Sequence, residues 1–322
     1  MSSLENNIIV YVSSRNNYDM LEGEVLKNID LENFEFINVD DKSCEEEILK
    51  GKKICEANGI KFLHNKSRGV QMATQTLVDW TKEHRPKCKW IVCFQHDHYP
   101  LTKNFFTRLS EITKSDKLKK VGILGFNVLD DGDYTCNAYD QFLNGKRPVG
   151  MIGLAHLSIH DRCARWLCPK QQSELLKLEQ WRKPFIVEFP MWACIALNVD
   201  IWDKYVTPTT EYQFHLWLPD VAMQLNFQNI PSLILPSLYT FNDQKSKLKY
   251  NINNCSAAGA RQGNEYHFGQ YSNFSAWISR WGWHYEDPKS LFPLVQDRYK
   301  NSLIGEYFSH DIKKGPLRNI SL

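Results

Sequence analysis

Short apolar runs alternate with amphipathic stretches over the first 126 residues. Ile8 to Val12 is a β-branched run ending in the polar turn Ser13-Ser14-Arg15-Asn16, the pattern of a strand and its exit loop. Asp19 to Asn28 carries Leu21, Val25 and Leu26 at helical spacing. Phe34 to Val39 predicts a second strand. Ser43 followed by Glu46 is a capping box that opens a helix to about Asn58. Gly59 to Leu63 predicts a third strand, with Asn65-Lys66-Ser67-Arg68-Gly69 as its exit loop. Val70 to Glu83 predicts a helix that ends before Pro86. Lys89 to Phe94 and Val121 to Phe126 predict two more strands around a Thr102 to Thr113 helix. Strands alternating with helices at this pace predict βαβ units and a mostly parallel sheet flanked by helices, an α/β fold.

Beyond Asp130 the pattern loosens. Met151 to Ser158 predicts a strand, and Phe185 to Asn198 is an apolar stretch carrying Glu188, Trp192 and Cys194. Leu218 to Phe227 predicts a short helix with Asp220 in its first turn, and Ser232 to Leu235 a strand ending at Pro236. Gln244 to Glu265 is polar, with Gly259 and Gly263, and predicts a mobile loop that closes over a ligand. Gln270 to Arg280 predicts a helix. No repeat or linker divides the chain. The expectation is one domain over 1–322, in parts over about 1–126, about 127–285 and a C-terminal extension over about 286–322.

Two strand ends carry candidate chemistry. They are Val39-Asp40-Asp41-Lys42-Ser43 and Cys93-Phe94-Gln95-His96-Asp97-His98-Tyr99-Pro100. In open α/β sheets, ligands bind outside the carboxyl ends of the strands. Acids and imidazoles there suit a nucleotide and a divalent cation. A glycine-rich dinucleotide fingerprint and a P-loop are both absent.

Composition narrows the partners. A net charge of +2 gives no electrostatic case for nucleic acid. The nine cysteines include no Cys-x-x-Cys, and reduced thiols in a cytoplasmic setting are expected. No apolar run approaches the roughly 20 residues that span a bilayer. Aromatic residues make up 13% of the chain, and Trp192 and Trp217 stand among those whose polar neighbours suit sugar stacking.

The order of these motifs resembles the inverting family 2 glycosyltransferases of the GT-A fold, over roughly residues 8 to 285. Ile8 to Asn16 resembles their opening strand and nucleotide loop. Val39-Asp40-Asp41-Lys42-Ser43 is similar to their second-strand acids, and Asn65-x-x-Arg68-Gly69 to their third loop. Gln95-His96-Asp97-His98 sits where their Asp-x-Asp motif sits, without its first acid. Trp217-Leu218-Pro219-Asp220 resembles their Glu-Asp motif, with one acid kept, and His267 with Trp277 to Gly282 resembles their closing region.

The resemblance implies sugar transfer from a nucleotide-diphosphate donor, UDP-linked by preference and GDP- or dTDP-linked otherwise, to a glycan or other hydroxyl acceptor. It implies Mn²⁺ or Mg²⁺, with Mn²⁺ favoured by nitrogen ligands. Asp97, His98 and His267 would hold the metal. Ser13, Ser14, Arg15, Asp40, Asp41, Arg68 and His96 would hold the nucleotide, with Arg261 a further diphosphate candidate. Asp220 would be the base, and Trp192 and Trp217 would stack on the sugar. A sugar nucleotidyltransferase and a catalytically inactive carbohydrate-binding protein are the competing expectations.

Overall fold

The structure, a computed structural model, describes residues 7–31, 33–95, 98–130, 178–190, 194–212, 216–242, 250, 275–282, 300–310 and 316–322. Strands β1 (Ile8–Ser14), β2 (Phe36–Asp40), β3 (Lys61–His64) and β4 (Trp90–Phe94) form a parallel half-sheet in the order β3-β2-β1-β4. The remaining strands are β5 (His98–Pro100), β6 (Ile123–Asp130), β7 (Phe185–Val187), β8 (Cys194–Asn198) and β9 (Ser232–Asn242). The sheet continues from β4 through β8, β6 and β9 to β5, and β7 also pairs with β9. β8 runs antiparallel to both of its neighbours, β4 and β6, while β6 and β9 are parallel. The mostly parallel α/β sheet expected from the sequence is therefore present.

β1, β2, β4 and β8 are buried on both faces, which explains their largely apolar runs. Ile9, Tyr11, Ile37, Val39, Ile91 and Cys93 face one core, closed by Ala73, Leu77 and Val78 of the Val70–His84 helix and by Trp217, Leu218 and Val221 of the Trp217–Phe227 helix. Ile8, Val10, Val12, Trp90, Val92 and Phe94 alternate with them and face the other core, with Ile54 and Cys55 of the Glu45–Ala57 helix and Phe105, Phe106 and Leu109 of the Phe105–Thr113 helix.

Two local expectations are corrected. The capping box does not form: Cys44 is the N-cap, with no side-chain cap bond. Ser43 instead accepts a hydrogen bond from the Asn16 N–H at 2.7 Å, stitching the second-strand turn to the first. Nor does β9 stop at Pro236. The β6–β9 register shifts between Phe126 and Asn127, and the Pro236 carbonyl accepts from Asn127 Nδ2 at 2.6 Å. A local irregularity of this kind lets a strand carry a proline.

Gly51 shows how tightly the helices seat. A Cβ there would lie 2.5 Å from carbons of the Tyr18 ring. That ring is tethered through its hydroxyl, which donates to Asp40 Oδ2 at 2.8 Å. Gly51→Ala is therefore expected to lose about 1–3 kcal/mol by overpacking, more than the gain of up to about 1 kcal/mol in helix propensity. Denaturant unfolding measures the balance; an unchanged or stabilised variant would show that the ring yields.

Candidate functional site

The carboxyl ends of β1, β2 and β3 lie side by side, and their exit loops are bonded to one another. The Asp41 N–H donates to the Ser14 carbonyl at 2.7 Å, and the Asn65 N–H to the Asp40 carbonyl at 2.8 Å. Asn16, Asn17 and Lys42 adopt left-handed conformations, with φ of 53°, 59° and 62°. Asparagine tolerates that region well, so the turns can be this tight.

Beneath this surface runs a buried polar chain. Ser14 Oγ donates to Asn38 Oδ1, Asn38 Nδ2 donates to the Tyr18 hydroxyl at 3.2 Å, and Tyr18 donates to Asp40 Oδ2. Asp40 Oδ1 accepts from the Ser43 N–H at 3.3 Å. Asp40, 1% exposed, is thus committed on both oxygens to the protein.

Asp41 is different. Its Oδ1 accepts from Asn65 Nδ2 and from the Gly69 N–H, both at 2.7 Å, while Oδ2 carries no bond to a described residue. Gly69 supplies its N–H from a φ of 112°, which favours glycine. Burial pushes the Asp41 carboxyl above the usual carboxylate value. The bonds from Asn65 and Gly69 and the charges of Arg15 and Arg68 pull it back. Arg15 and Arg68 are both half-buried. Arg15 on the β1 exit and Arg68 on the 65–69 loop thus both bear on the Asp41 carboxyl, whose backbone N–H is bonded to Ser14.

The second cluster is described only in part. His98 is 2% exposed at the start of β5, its N–H donating to the Gln95 carbonyl at 3.0 Å. His96, Asp97, Trp192, Arg261 and His267 lie outside the described residues, as does the expected loop over 244–265 apart from Tyr250. Among the described residues, no three His, Cys, Asp or Glu side chains converge as a metal site.

Asp220 sits at the centre of a buried cluster that joins three parts of the chain. Its Oδ2 accepts from Gln71 Nε2 at 3.0 Å and Gln224 Nε2 at 2.9 Å. Its Oδ1 accepts from Trp281 Nε1 at 2.9 Å and faces Arg280 Nε at 3.3 Å. Burial pushes its carboxyl above the usual value, against the pull of Arg280 and of these donors. Burial, and then the Asp220 charge, push the neighbouring Tyr212 phenol upward. Leu216, at φ 63°, starts this helix in a left-handed conformation that costs a leucine about 1–2 kcal/mol.

Trp217 is corrected: it is 1% exposed and lies in the core with Leu218 and Val221, leaving no face for a sugar. Sequence reasoning also missed Asn65 as the partner of Asp41, and Gln71, Arg280 and Trp281 as partners of Asp220. The quoted Asn65-x-x-Arg68-Gly69 loop was the available signal for the first. Nothing in the sequence pairs Gln71 with residues 149 and more positions away.

Against solved structures, the chain is similar to a crystal structure of GalNAc-T7 with UDP, GalNAc and Mn²⁺. The two share 12% identity at a TM-score of 0.53, over 97% of this chain and 58% of that one. The fold is GT-A. The chain thus spans little more than half the length of that GT-A structure. A mycobacterial protein is a remoter likeness, with a TM-score of 0.41 and 10% identity over 76% of this chain and 70% of that one. No protein-family model matches the sequence, and no curated protein sequence matches it significantly. No helix among the described residues is long and apolar enough to cross a membrane.

Proposed function

We propose that this chain transfers a sugar from a nucleotide-diphosphate donor, UDP-linked by preference, to a hydroxyl of a glycan or other acceptor. The observation that carries this reading is Asp41, held by Asn65 and Gly69 at the carboxyl ends of a parallel GT-A half-sheet, with Arg15 and Arg68 on the flanking exit loops. A carboxylate there can accept a nucleobase or ribose hydrogen bond, and two guanidiniums suit a diphosphate. The likeness to a structure solved with UDP, GalNAc and Mn²⁺ supports the same reading.

Asp97, His98 and His267 are the proposed metal ligands. A divalent cation would neutralise the departing diphosphate. Of this set only His98 lies among the described residues, and the fit to a cation rests on donor chemistry, one carboxylate and two imidazoles. Asp97→Asn is expected to remove the Mn²⁺-dependent part of UDP affinity, read by titration with and without Mn²⁺. A variant that responds to Mn²⁺ as the wild type does would unseat Asp97.

An inverting course needs a base to take the acceptor proton, and Asp220 is the proposed one. As observed, both of its oxygens are engaged. Among the described residues, Oδ2 is bound by Gln71 and Gln224, while Oδ1 is bound by Trp281 and paired with Arg280. Withdrawal of residues 275–282 would free Oδ1 for an acceptor.

Titration with UDP, GDP and dTDP, with and without Mn²⁺, followed by nucleoside diphosphate release from UDP-sugars, tests the whole reading. Binding of UDP with release of UDP from a sugar donor is expected. Failure to bind any of the three would overturn it.

A further inference from the structure

Asn65 is 1% exposed and uses its whole amide. Its Nδ2 donates to Asp41 Oδ1 at 2.7 Å and to the Gly69 carbonyl at 3.2 Å. Its Oδ1 accepts from Thr76 Oγ1 at 3.1 Å and from the Ser67 N–H at 3.3 Å. Its backbone N–H reaches the Asp40 carbonyl on the neighbouring strand. One side chain thus fixes the 65–69 loop, the start of the Val70–His84 helix and one oxygen of Asp41.

We propose that Asn65 is a positioning residue whose amide, with the Gly69 N–H, occupies Oδ1 of Asp41 so that Oδ2 is presented to the donor nucleotide. This rests on the functional reading above. The physical argument is a division of labour within one carboxylate. Two donors on Oδ1 fix the rotation of the group and favour its ionised form. Oδ2 then needs no reorganisation to accept a hydrogen bond, which lowers the cost of binding. Asp40 cannot do this, because Tyr18 and Ser43 take its two oxygens. The charged and titratable groups that bear on Asp41 are Arg15 from the β1 exit, Arg68 from the 65–69 loop and Tyr11 from β1, with Asp40 adjacent and His64 facing Asp40.

Asn65→Asp separates positioning from packing. The introduced carboxyl keeps an acceptor for Ser67 and Thr76 but turns an oxygen toward Asp41. Ionised, the two repel; sharing one proton, they restore a donor to Oδ1. Thr76→Val is the packing control, since it breaks a bond to Asn65 on the side away from Asp41.

UDP with Mn²⁺ is the probe, titrated from mildly acidic to neutral pH. Wild-type affinity is expected to fall as pH falls. The Asn65→Asp chain should bind about tenfold more weakly at neutral pH, the scale of a lost bond to a charged group, and regain affinity on acidification. Thr76→Val should follow the wild type. An Asn65→Asp profile parallel to the wild type, or an equal loss in Thr76→Val, overturns the proposal.

The Asp41 carboxyl is followed in parallel without nucleotide by carbon-13 NMR, assigned by its loss in Asp41→Asn. Asn65→Asp should push that titration upward, and an unmoved titration overturns the positioning role. If the wild type binds no UDP, the functional reading fails, and the NMR titration still decides whether Asn65 holds Asp41.

Discussion

Asp220→Asn is expected to lower kcat by about 10²–10⁴-fold, the range for loss of a general base, with UDP Kd nearly unchanged. The carboxamide keeps one acceptor oxygen. Gln71 and Gln224 claim it, because their own oxygens are held by the N–H groups of Thr209 and Thr207 and neither amide can turn over freely. The new NH₂ then faces Trp281 and Arg280. Arg280 is 26% exposed and can turn to water, so the misfit costs about 1–3 kcal/mol and leaves a folded protein.

Asp220→Ala goes further, leaving donors from three segments without an acceptor. Loss of one partner of a buried pair costs about 3–5 kcal/mol, and the partial exposure of Arg280 places this case at the lower end. The pH dependence has a definite sign. The folded Asp220 carboxyl titrates above its unfolded value, so this group destabilises the fold as pH rises from the usual carboxylate value through the raised one. Asp220→Asn should remove that component from the stability profile. If kcat stays within tenfold of wild type while chemistry limits the rate, Asp220 is an anchor for residues 275–282 and not the base.

Asp41→Asn should raise the UDP Kd by about ten- to a hundredfold, from a lost charged hydrogen bond of about 1.5–3 kcal/mol. The carboxamide oxygen will be drawn to Gly69 and Asn65, which both donate. Its NH₂ then stands where Oδ2 stood and meets the nucleotide donor to donor. Because the folded carboxyl titrates above the usual value, wild-type affinity should decline with falling pH before an ordinary aspartate would protonate. The variant should lack that decline. Calorimetric titration across pH checks both, and normal affinity in the variant would reduce the pair to turn-forming residues.

Periodicity made the first half of the chain legible because β1, β2 and β4 are buried on both faces and the Glu45–Ala57 and Val70–His84 helices are long. Ile8 to Val12 falls within β1, Lys89 to Phe94 all but defines β4, and Val70 to Glu83 differs from the observed helix by one residue. β5 and β7 escaped because three residues carry no period. Pro236 misled because its tolerance depends on Asn127, 109 positions away. Asp40 and Asp41 look alike as letters. Only the bonds from Tyr18, Asn65 and Gly69 separate a buttress from a candidate reader. Trp217 misled because an aromatic beside a helix start serves a core as readily as a sugar.

The reversed strand β8 also constrains how the molecule can be made. It fills the gap between β4 and β6, yet it follows β4 by 100 positions in the Phe94–Cys194 pairing. During synthesis the inner edges of β4 and β6 emerge first and wait for the strand that closes them. A nascent chain halted before Cys194 would hold β4 with its inner edge open and β6 with both edges open. Such edges invite strand pairing between molecules. Fragments ending short of β8 should therefore associate, and those extending past Asn198 should be the first to acquire a continuous sheet from β3 to β6.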